Sequence, residues 1–238
     1  MKRFFYYLNK ILKKLKINYQ TLPIDNIFLK SIFYKLENQI PFAFSRWGDG
    51  EWLNIRGDNG KNIDGNKYFN DLGINLKEIV KKKQDYYLGA QDYKLFGLLS
   101  DVRNYKVNNW HDADIFHKLS IKGRLNELLQ IFNDSYIVYV GNSNHSKLNF
   151  INEFIEIPIN DSWLEKDIIL NKIEATFSDK HKIYLFSAGM ATNVFIDTLW
   201  KKNSKNSYMD IGSTFDPFVG INSRSYHKTL KIQNDKTF

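Results

Sequence analysis

Residues 42–55 contain the side chains best suited to chemistry, in the order Phe-Ala-Phe-Ser-Arg-Trp-Gly-Asp-Gly-Glu-Trp-Leu-Asn-Ile. The apolar run at 42–45 predicts a buried strand, and the glycines on either side of Asp49 allow a tight turn or the close approach of a ligand. In an extended or turn conformation, the carboxylates of Asp49 and Glu51 can converge on one hard cation. Such oxygen ligands suit Mg²⁺ or Mn²⁺, which complete their coordination with water and substrate phosphates. Arg46 precedes Asp49 by three residues, so its guanidinium is near enough to bind an anion at the same site.

The dipeptide Asp49-Gly50 also fits a simpler interpretation. Asp-Gly is a common hairpin dipeptide, and a hairpin turn would leave both acidic side chains in solvent. The flanking Arg46, Trp47 and Trp52 favour the metal site, because a plain turn has little need for an arginine and two tryptophans around it.

The order of residues at 45–52, Ser-Arg-Trp-Gly-Asp-Gly-Glu-Trp, resembles the signature of the GT-D glycosyltransferases. In that family an apolar strand leads into an arginine, an aromatic residue and Gly-Asp-Gly-Glu, and the Asp-x-Glu pair holds a divalent metal that bridges the diphosphate of a nucleotide sugar. The resemblance therefore implies a metal role for Asp49 and Glu51. It also places three residues beside the donor nucleotide: Arg46, Gly48 and Gly50. Later blocks extend the similarity over most of the remaining chain, at 137–146, 157–163, 183–193 and 208–226.

The composition is that of a globular protein of 238 residues, with 43% hydrophobic and 16% aromatic residues. This length is enough for one substantial core, and we expect a single α/β glycosyltransferase domain over 18–238. The absence of cysteine excludes disulfides and thiolate metal sites, and it fits a reducing compartment. No run of about 18 uncharged apolar residues is present, so no transmembrane helix is predicted, and no signal peptide is recognisable. We therefore expect a cytoplasmic protein.

The net charge of +8 is concentrated near the N-terminus, because residues 1–16 carry six basic residues and no acid. The remaining +2 argues against a nucleic-acid-binding groove, which requires a clustered basic face. Within 1–17 apolar residues recur at helical spacing with lysines between them, which predicts a basic amphipathic helix. Such a helix either lies on an anionic membrane surface, as a peripheral contact at the inner membrane face, or packs on its own domain.

Apolar, β-branched segments alternate with helical patterns along the chain, which is typical of a doubly wound, mainly parallel, Rossmann-like α/β sheet. The predicted strands are 42–45, 86–89, 136–140, 183–186 and 208–211. In such sheets ligands bind outside the carboxyl ends of the strands. Because the polar clusters of this chain lie at predicted strand ends, the sequence predicts a ligand crevice at that edge of the sheet.

Two segments have the strand, turn and helix order of a phosphate site, in which free backbone amides and the helix dipole face an anion. Gly141 and Asn142 follow one predicted strand, and the small residues of 187–193 follow another. A short strand predicted at 156–160 ends in an asparagine, and a helix follows. In the GT-D family a similar junction of strand, asparagine and helix contacts the donor nucleotide. We therefore expect six further donor-binding residues: Gly141, Asn142, Asn160, Ser187, Gly189 and Asn193. Helix capping and close helix packing explain the same residue types equally well.

The last block contains an Asp-Ile-Gly sequence that matches a recurrent block of the GT-D family, but Ser213 stands where family members often have histidine. Arg224, close to the end of the chain, is a candidate ligand of the donor diphosphate. Asp92, after a predicted strand, and Asp216, at a predicted turn, are candidate general bases for an acceptor hydroxyl. We interpret His145 as an ordinary loop histidine.

The sequence as a whole predicts a metal-dependent glycosyltransferase, which uses Mn²⁺ or Mg²⁺ and moves a sugar from a nucleotide-sugar donor to an acceptor. The resemblance favours a UDP-sugar donor and a glycan, glycolipid or glycoprotein acceptor of surface polysaccharide synthesis, including lipid-linked acceptors. Two other classes stay open: a non-catalytic module that binds a membrane surface or nucleic acid, and a metal-dependent phosphoester hydrolase that uses the same acids.

Overall fold

The structure is a computed structural model that describes four parts of the chain: 24–62, 64–90, 110–224 and residue 227. The predicted amphipathic helix at 1–17 and the candidate base Asp92 lie outside the described residues, so both stay predictions. In the described part, no helix combines the length and the apolarity needed to cross a bilayer.

A parallel sheet of seven strands runs through the described residues, in the order β3-β2-β1-β7-β6-β4-β5. The strands are β1 Ala43–Trp47, β2 Tyr87–Ala90, β3 Trp110–Asp112, β4 Ile137–Gly141, β5 Glu153–Glu156, β6 Ile183–Phe186 and β7 Ser207–Asp210. Every pairing between neighbouring strands is parallel, which confirms the predicted α/β class. All five predicted strands are present, with ends displaced by at most two residues.

Helices cover both faces of the sheet. They are α1 Asn26–Glu37, α2 Asp49–Ile55, α3 Asn70–Lys81, α4 Ile115–Ile121, α5 Leu125–Asn133, α6 Lys166–Glu174 and α7 Thr192–Lys202. Short 3₁₀ helices occupy Ser143–Lys147, Ser162–Glu165, Gly189–Ala191 and Asp216–Val219. One face of the sheet packs against α3, α6, α7 and Trp52 of α2, and the other packs against α1, α4 and α5.

The central strands are apolar on both sides because helices bury both faces. In β4, Ile137 and Tyr139 pack on the side of α1, α4 and α5, whereas Val138 and Val140 pack on the side of α3, α6 and α7. All four side chains are completely buried. Both faces of the central strands are thus covered and cannot bind a ligand, so the turns that follow the strands must provide the polar groups of a binding site.

Three details differ from the sequence prediction. The short strand expected at 156–160 lies at 153–156, because Pro158 has no N–H to donate to a neighbouring strand. The helical pattern of 115–131 predicts one helix, but Gly123 adopts φ +66° and separates α4 from α5. β3 was not predicted, because three residues are too few for a recognisable alternation.

Candidate active site

A cavity of about 800 Å³ opens at the carboxyl ends of β1, β7, β6 and β4, which are four consecutive strands of the sheet. Each strand continues into a turn that contributes to the cavity wall, as expected for ligand sites in open parallel sheets. The loop before α3 and the chain after the 3₁₀ helix at 216–219 complete the wall. The polar and glycine residues that line it include Arg46, Gly48, Asp49, Gly50, Glu51, Asn62, Asp64, Asn66, His117, Asn142, Asn144, Ser187, Gly189, Asp210, Gly212, Ser213, Asp216, Ser223 and Arg224.

Asp49 and Glu51 lie in the first turn of α2, which begins directly after β1. The extended or turn conformation predicted here is therefore wrong. The Glu51 carboxylate accepts a hydrogen bond from the Gly48 N–H at 2.8 Å, which stabilises a helix start at this point. Residues two apart on a helix point in different directions, so Asp49 is exposed whereas Glu51 is buried. Both side chains line the cavity.

Two neighbouring carboxyl groups in the wall are harder to ionise than usual. Burial raises the pKa of Glu51 to about 7; backbone hydrogen bonds lower it in part, and the charges of Asp210 and Asp49 raise it again. Burial also raises the pKa of Asp210, at the end of β7, to about 6, although the nearby Arg46 lowers it. A cation bound beside these groups would stabilise their ionised forms.

The Arg46 side chain connects three parts of the site. Its Nε donates to the carbonyl of Ala113 at 2.5 Å, and its terminal nitrogens lie 3.3 Å from Asp114 Oδ1 and 3.6 Å from Asp210 Oδ1. Gly212, at φ +50°, leaves room for the guanidinium, because a Cβ at this position would lie 1.9 Å from it. Asp114 and Asp210 thus offset much of the positive charge of Arg46, the residue that the sequence analysis expects to bind the donor diphosphate.

The cavity wall contains more acidic than basic groups. Two arginines, Arg46 and Arg224, face five carboxyl groups in the described wall: Asp49, Glu51, Asp64, Asp210 and Asp216. Arg224 is itself paired with both carboxylate oxygens of Asp64, at 2.7 Å for the Nη2 contact. A wall of this charge repels an anionic ligand such as a diphosphate unless a cation accompanies the ligand.

The residues present fit a divalent cation. Asp49 and Glu51 leave α2 in different directions, but both line the cavity, so either carboxylate can offer the oxygen ligands that Mg²⁺ and Mn²⁺ prefer. The raised pKa of Glu51 marks a carboxyl that would gain from a positive charge. In the described part of the chain, no group of three His, Cys, Asp or Glu side chains is arranged to hold a metal. A cation here would therefore take its other ligands from water and substrate.

The six residues expected to extend the donor site fall into two groups. Asn142, Ser187 and Gly189 line the cavity, and Gly189 has φ +63°, a conformation that favours glycine. The other three are not part of the described wall: Gly141, Asn160 and Asn193.

Each residue of the second group has a structural contact instead. Asn193 is completely buried in α7 and donates to Glu51 Oε1 at 3.4 Å. The Asn160 side chain lies against Gly65, and Gly141 leaves room for the Tyr139 ring, which a Cβ would approach to 2.6 Å. Amides and glycines serve ligands and packing alike, so their residue types could not separate these two roles.

His145 is not the ordinary loop histidine of the sequence interpretation. It is completely buried, and its Nε2 lies 3.0 Å from Asp216 Oδ1. The two residues are 71 positions apart, so no local pattern indicates their contact. Sequence reasoning also missed Asn62, Asn66 and Asp210 in the wall; for Asp210, its place at the end of a predicted strand was an available signal.

His117, at the edge of the cavity, makes stability depend on pH. Burial and then the Arg46 charge lower its pKa from 6.5 to about 4. Below pH 6.5 His117 therefore binds more protons in the unfolded chain than in the folded one, and its contribution to the free energy of unfolding falls as pH decreases towards 4. This difference in pKa corresponds to about 3 kcal/mol.

We expect His117→Asn to remove this contribution. In urea unfolding at pH 7 and pH 4.5, the variant should lose about 2–3 kcal/mol less stability than the wild-type protein over that interval. Glu51 and Asp210, whose pKa values are raised, change stability in the opposite direction, but both are present in the two proteins. Equal losses in the two proteins would contradict the assignment.

No protein-family model matches this chain, and no curated protein sequence is significantly similar to it. Three solved structures are similar in fold. A selenomethionine structure of domain of unknown function 1792 has a TM-score of 0.62 at 15% identity, over 79% of each chain. A second structure of this domain, described as having a distinct glycosyltransferase fold, has a TM-score of 0.61 at 14% identity over 79% of each chain. A third, described as a new glycosyltransferase (DUF1792) from Streptococcus sanguinis, has a TM-score of 0.60 at 16% identity, over 81% of this chain and 84% of the other. This chain therefore shares its α/β fold with structures described as glycosyltransferases.

Proposed function

We propose that this protein is a metal-dependent glycosyltransferase with a nucleotide-sugar donor, in which the donor is a UDP-sugar. The observation that carries the proposal is an acidic cavity at the carboxyl ends of four adjacent strands, with Asp49 and Glu51 at the start of α2. The similar structures described as glycosyltransferases support the class of reaction. The resemblance of 45–52 to the GT-D signature supports the donor and the metal.

The residues of the wall take distinct roles in this proposal. Asp49 and Glu51 would hold Mn²⁺ or Mg²⁺, and such a cation would offset the charge that develops on a leaving diphosphate. Gly48, Gly50 and Gly189 let the donor approach the backbone closely, because they carry no side chains. Two wall side chains, Asn142 and Ser187, supply hydrogen-bonding groups for the donor.

Arg46 and Arg224 contribute differently from the sequence prediction. Arg46 is fixed by Asp114 and Asp210, and so it orients the wall more than it neutralises a ligand. Arg224 must exchange Asp64 for the diphosphate in order to contact it.

The acceptor in this proposal is a glycan, glycolipid or glycoprotein of surface polysaccharide synthesis, and it includes lipid-linked acceptors. The predicted basic helix at 1–17 would hold the enzyme as a peripheral protein at the inner membrane face, where such acceptors are found. The small net charge of the rest of the chain makes nucleic acid an unsuitable partner.

A thermal-shift screen of nucleoside diphosphates, with and without Mn²⁺, tests the proposal. A ligand at about 100 times its Kd adds about 2.7 kcal/mol to the free energy of unfolding. We therefore expect UDP with Mn²⁺ to raise the Tm by about 5–10 °C, and either component alone to raise it far less. If no nucleoside diphosphate raised the Tm in the presence of Mn²⁺, the proposal would be wrong.

A product assay separates the remaining classes. A glycosyltransferase releases UDP only as sugar reaches an acceptor, whereas a phosphoester hydrolase releases free phosphate and a binding module releases neither. We expect UDP release that increases when glycan acceptors are added, with no free phosphate.

A further inference from the structure

The Asp216 carboxylate is fixed in the cavity wall by two donors from different parts of the chain. His145 Nε2, in the turn after β4, lies 3.0 Å from its Oδ1. Ser223 Oγ donates to its Oδ2 at 2.6 Å. Asp216 itself begins the 3₁₀ helix after β7, so this contact joins the ends of β4 and β7 across the end of β6.

The His145 ring is held in one orientation. It is completely buried and stacks on Tyr139, with ring centroids 5.1 Å apart and an interplanar angle of 26°. Gly141 makes this arrangement feasible, because a Cβ there would lie 2.6 Å from the Tyr139 ring and 3.3 Å from His145 Nδ1. An ionised carboxylate only accepts hydrogen bonds, so Nε2 carries the hydrogen that faces Asp216.

Asp216 differs from the other carboxyl groups of the described wall. Asp64 is paired with Arg224, Asp210 faces Arg46, and Asp49 and Glu51 are assigned to the cation. Asp216 is held by a histidine and a serine instead.

The two carboxylate oxygens of Asp216 have different neighbours. Oδ1 faces the completely buried His145, whereas Oδ2 already accepts a hydroxyl hydrogen from Ser223, which is exposed and lines the cavity. The Oδ2 oxygen therefore lies where a sugar hydroxyl could replace that of Ser223.

We propose that Asp216 is the catalytic base that accepts the proton of the acceptor hydroxyl, and that His145 is the positioning residue that orients it. This inference rests on the proposed glycosyl transfer. The acceptor oxygen forms a bond to the anomeric carbon of the donor, and the bond from that carbon to the diphosphate breaks, with its electron pair leaving on the diphosphate. The proton moves to Asp216 Oδ2 and then passes to water.

The hydrogen bonds of Asp216 also set the pH range in which it can act. Burial alone raises its pKa, but the hydrogen bonds from His145 and Ser223, together with the charge interactions of His145 and His227, more than offset this effect and lower it. His227 also faces Asp216 and favours its ionised form, while Arg224 lies next to His227. The Tyr139 hydroxyl, on the β4 side, feels the Asp216 charge in turn. Loss of either hydrogen-bond donor should therefore raise the pKa of Asp216 and move the acid limb of the rate profile to higher pH.

Five variants, assayed for transfer from pH 3 to pH 9, test the inference, because the lowered pKa of Asp216 places the acid limb below pH 5. Asp216→Asn should lower kcat by about 10²–10⁴-fold with little change in the KM of the nucleotide sugar. His145→Leu should move the acid limb of kcat upward by about one pH unit, whereas His145→Gln, which keeps a donor near Nε2, should restore it. Ser223→Ala, at an exposed position, should move the limb in the same direction. His181→Leu is the matched control, since this half-buried histidine bonds Ser207 at 3.0 Å at the opposite end of the sheet.

Three results would overturn the inference. They are an unchanged acid limb in folded His145→Leu, equal impairment of the Leu and Gln variants, or near wild-type kcat in Asp216→Asn. If His145→Leu does not fold, Ser223→Ala decides, and an unchanged acid limb in that variant would count against the proposal. These results differ from a failure of the proposed function, in which the wild-type protein itself transfers no sugar.

Discussion

Asp49→Asn and Glu51→Gln should each weaken the manganese-dependent binding of UDP by more than about 100-fold, because in the proposed function each removes a carboxylate that binds the cation. Loss of a residue that only orients a metal ligand typically costs 10–100-fold in metal affinity, so loss of the ligand itself should cost more. Titration calorimetry of UDP, with Mn²⁺ and with a chelator, measures the effect. Binding of UDP with the chelator should be weak in all the proteins, because the wall is acidic.

Asp58→Asn is the matched control for these two variants. Asp58 follows α2, is exposed, pairs with Arg56 at 3.7 Å and lies outside the cavity wall. We expect this change to leave UDP affinity unaltered. If both Asp49→Asn and Glu51→Gln bound UDP with unchanged affinity in the presence of Mn²⁺, neither residue would be a metal ligand.

Gly73→Ala should destabilise the protein, although the same change in an unconstrained helix stabilises it by about 1 kcal/mol. Gly73 lies where α3 packs on α2, and a Cβ there would lie 2.4 Å from the carbonyl oxygen of Asn54. The carbonyl belongs to the backbone, so the two helices must move apart. Overpacking of this kind costs about 1–3 kcal/mol, and we expect the free energy of unfolding to fall by about 2 kcal/mol.

The same variant should also lose UDP binding, because α2 carries Asp49 and Glu51 in its first turn. Urea unfolding and calorimetry measure the two effects. Ile74→Ala, at the next and more than half-exposed position of α3, is the control and should change both quantities little. A Gly73→Ala protein as stable as the wild-type would show that the helices accommodate the methyl group.

The sheet was predictable from sequence because its strands are buried on both faces. Runs such as Tyr136–Gly141 and Ile183–Phe186 are continuously apolar, and only a covered parallel strand explains them in a chain with this pattern of helices. Short elements were harder to predict. β3 has only three residues. The strand predicted at 156–160 was placed too late in the chain because Ile157 and Ile159 are apolar, although Ile159 is 70% exposed.

The position of the site was predictable, whereas its internal contacts were not. Strand ends indicate a crevice, and the candidates from the sequence were Asp49 and Glu51, after the first predicted strand, and Asp216, at a predicted turn. Two partners of Arg46, Ala113 and Asp114, lie 67 and 68 residues away along the chain, and Asp210 lies farther still, so a local pattern carries no information about them. The helix at 49–55 was missed because Gly-Asp-Gly has the composition of a turn, although Glu51 stands three residues after Gly48, at the spacing of a capping box.

The acidity of the cavity leads to the central claim of this account. We propose that a wall with five carboxyl groups and two paired arginines accommodates a nucleoside diphosphate only together with a cation, and that Asp49 and Glu51 at the start of α2 would bind this cation. A crystal structure of the protein with UDP and Mn²⁺ tests this claim most directly. We predict an anomalous manganese peak within about 2.3 Å of a carboxylate oxygen of Asp49 or Glu51, with the diphosphate of UDP bound to the same ion. Manganese and UDP bound elsewhere, with both carboxylates facing only solvent or protein, would contradict it.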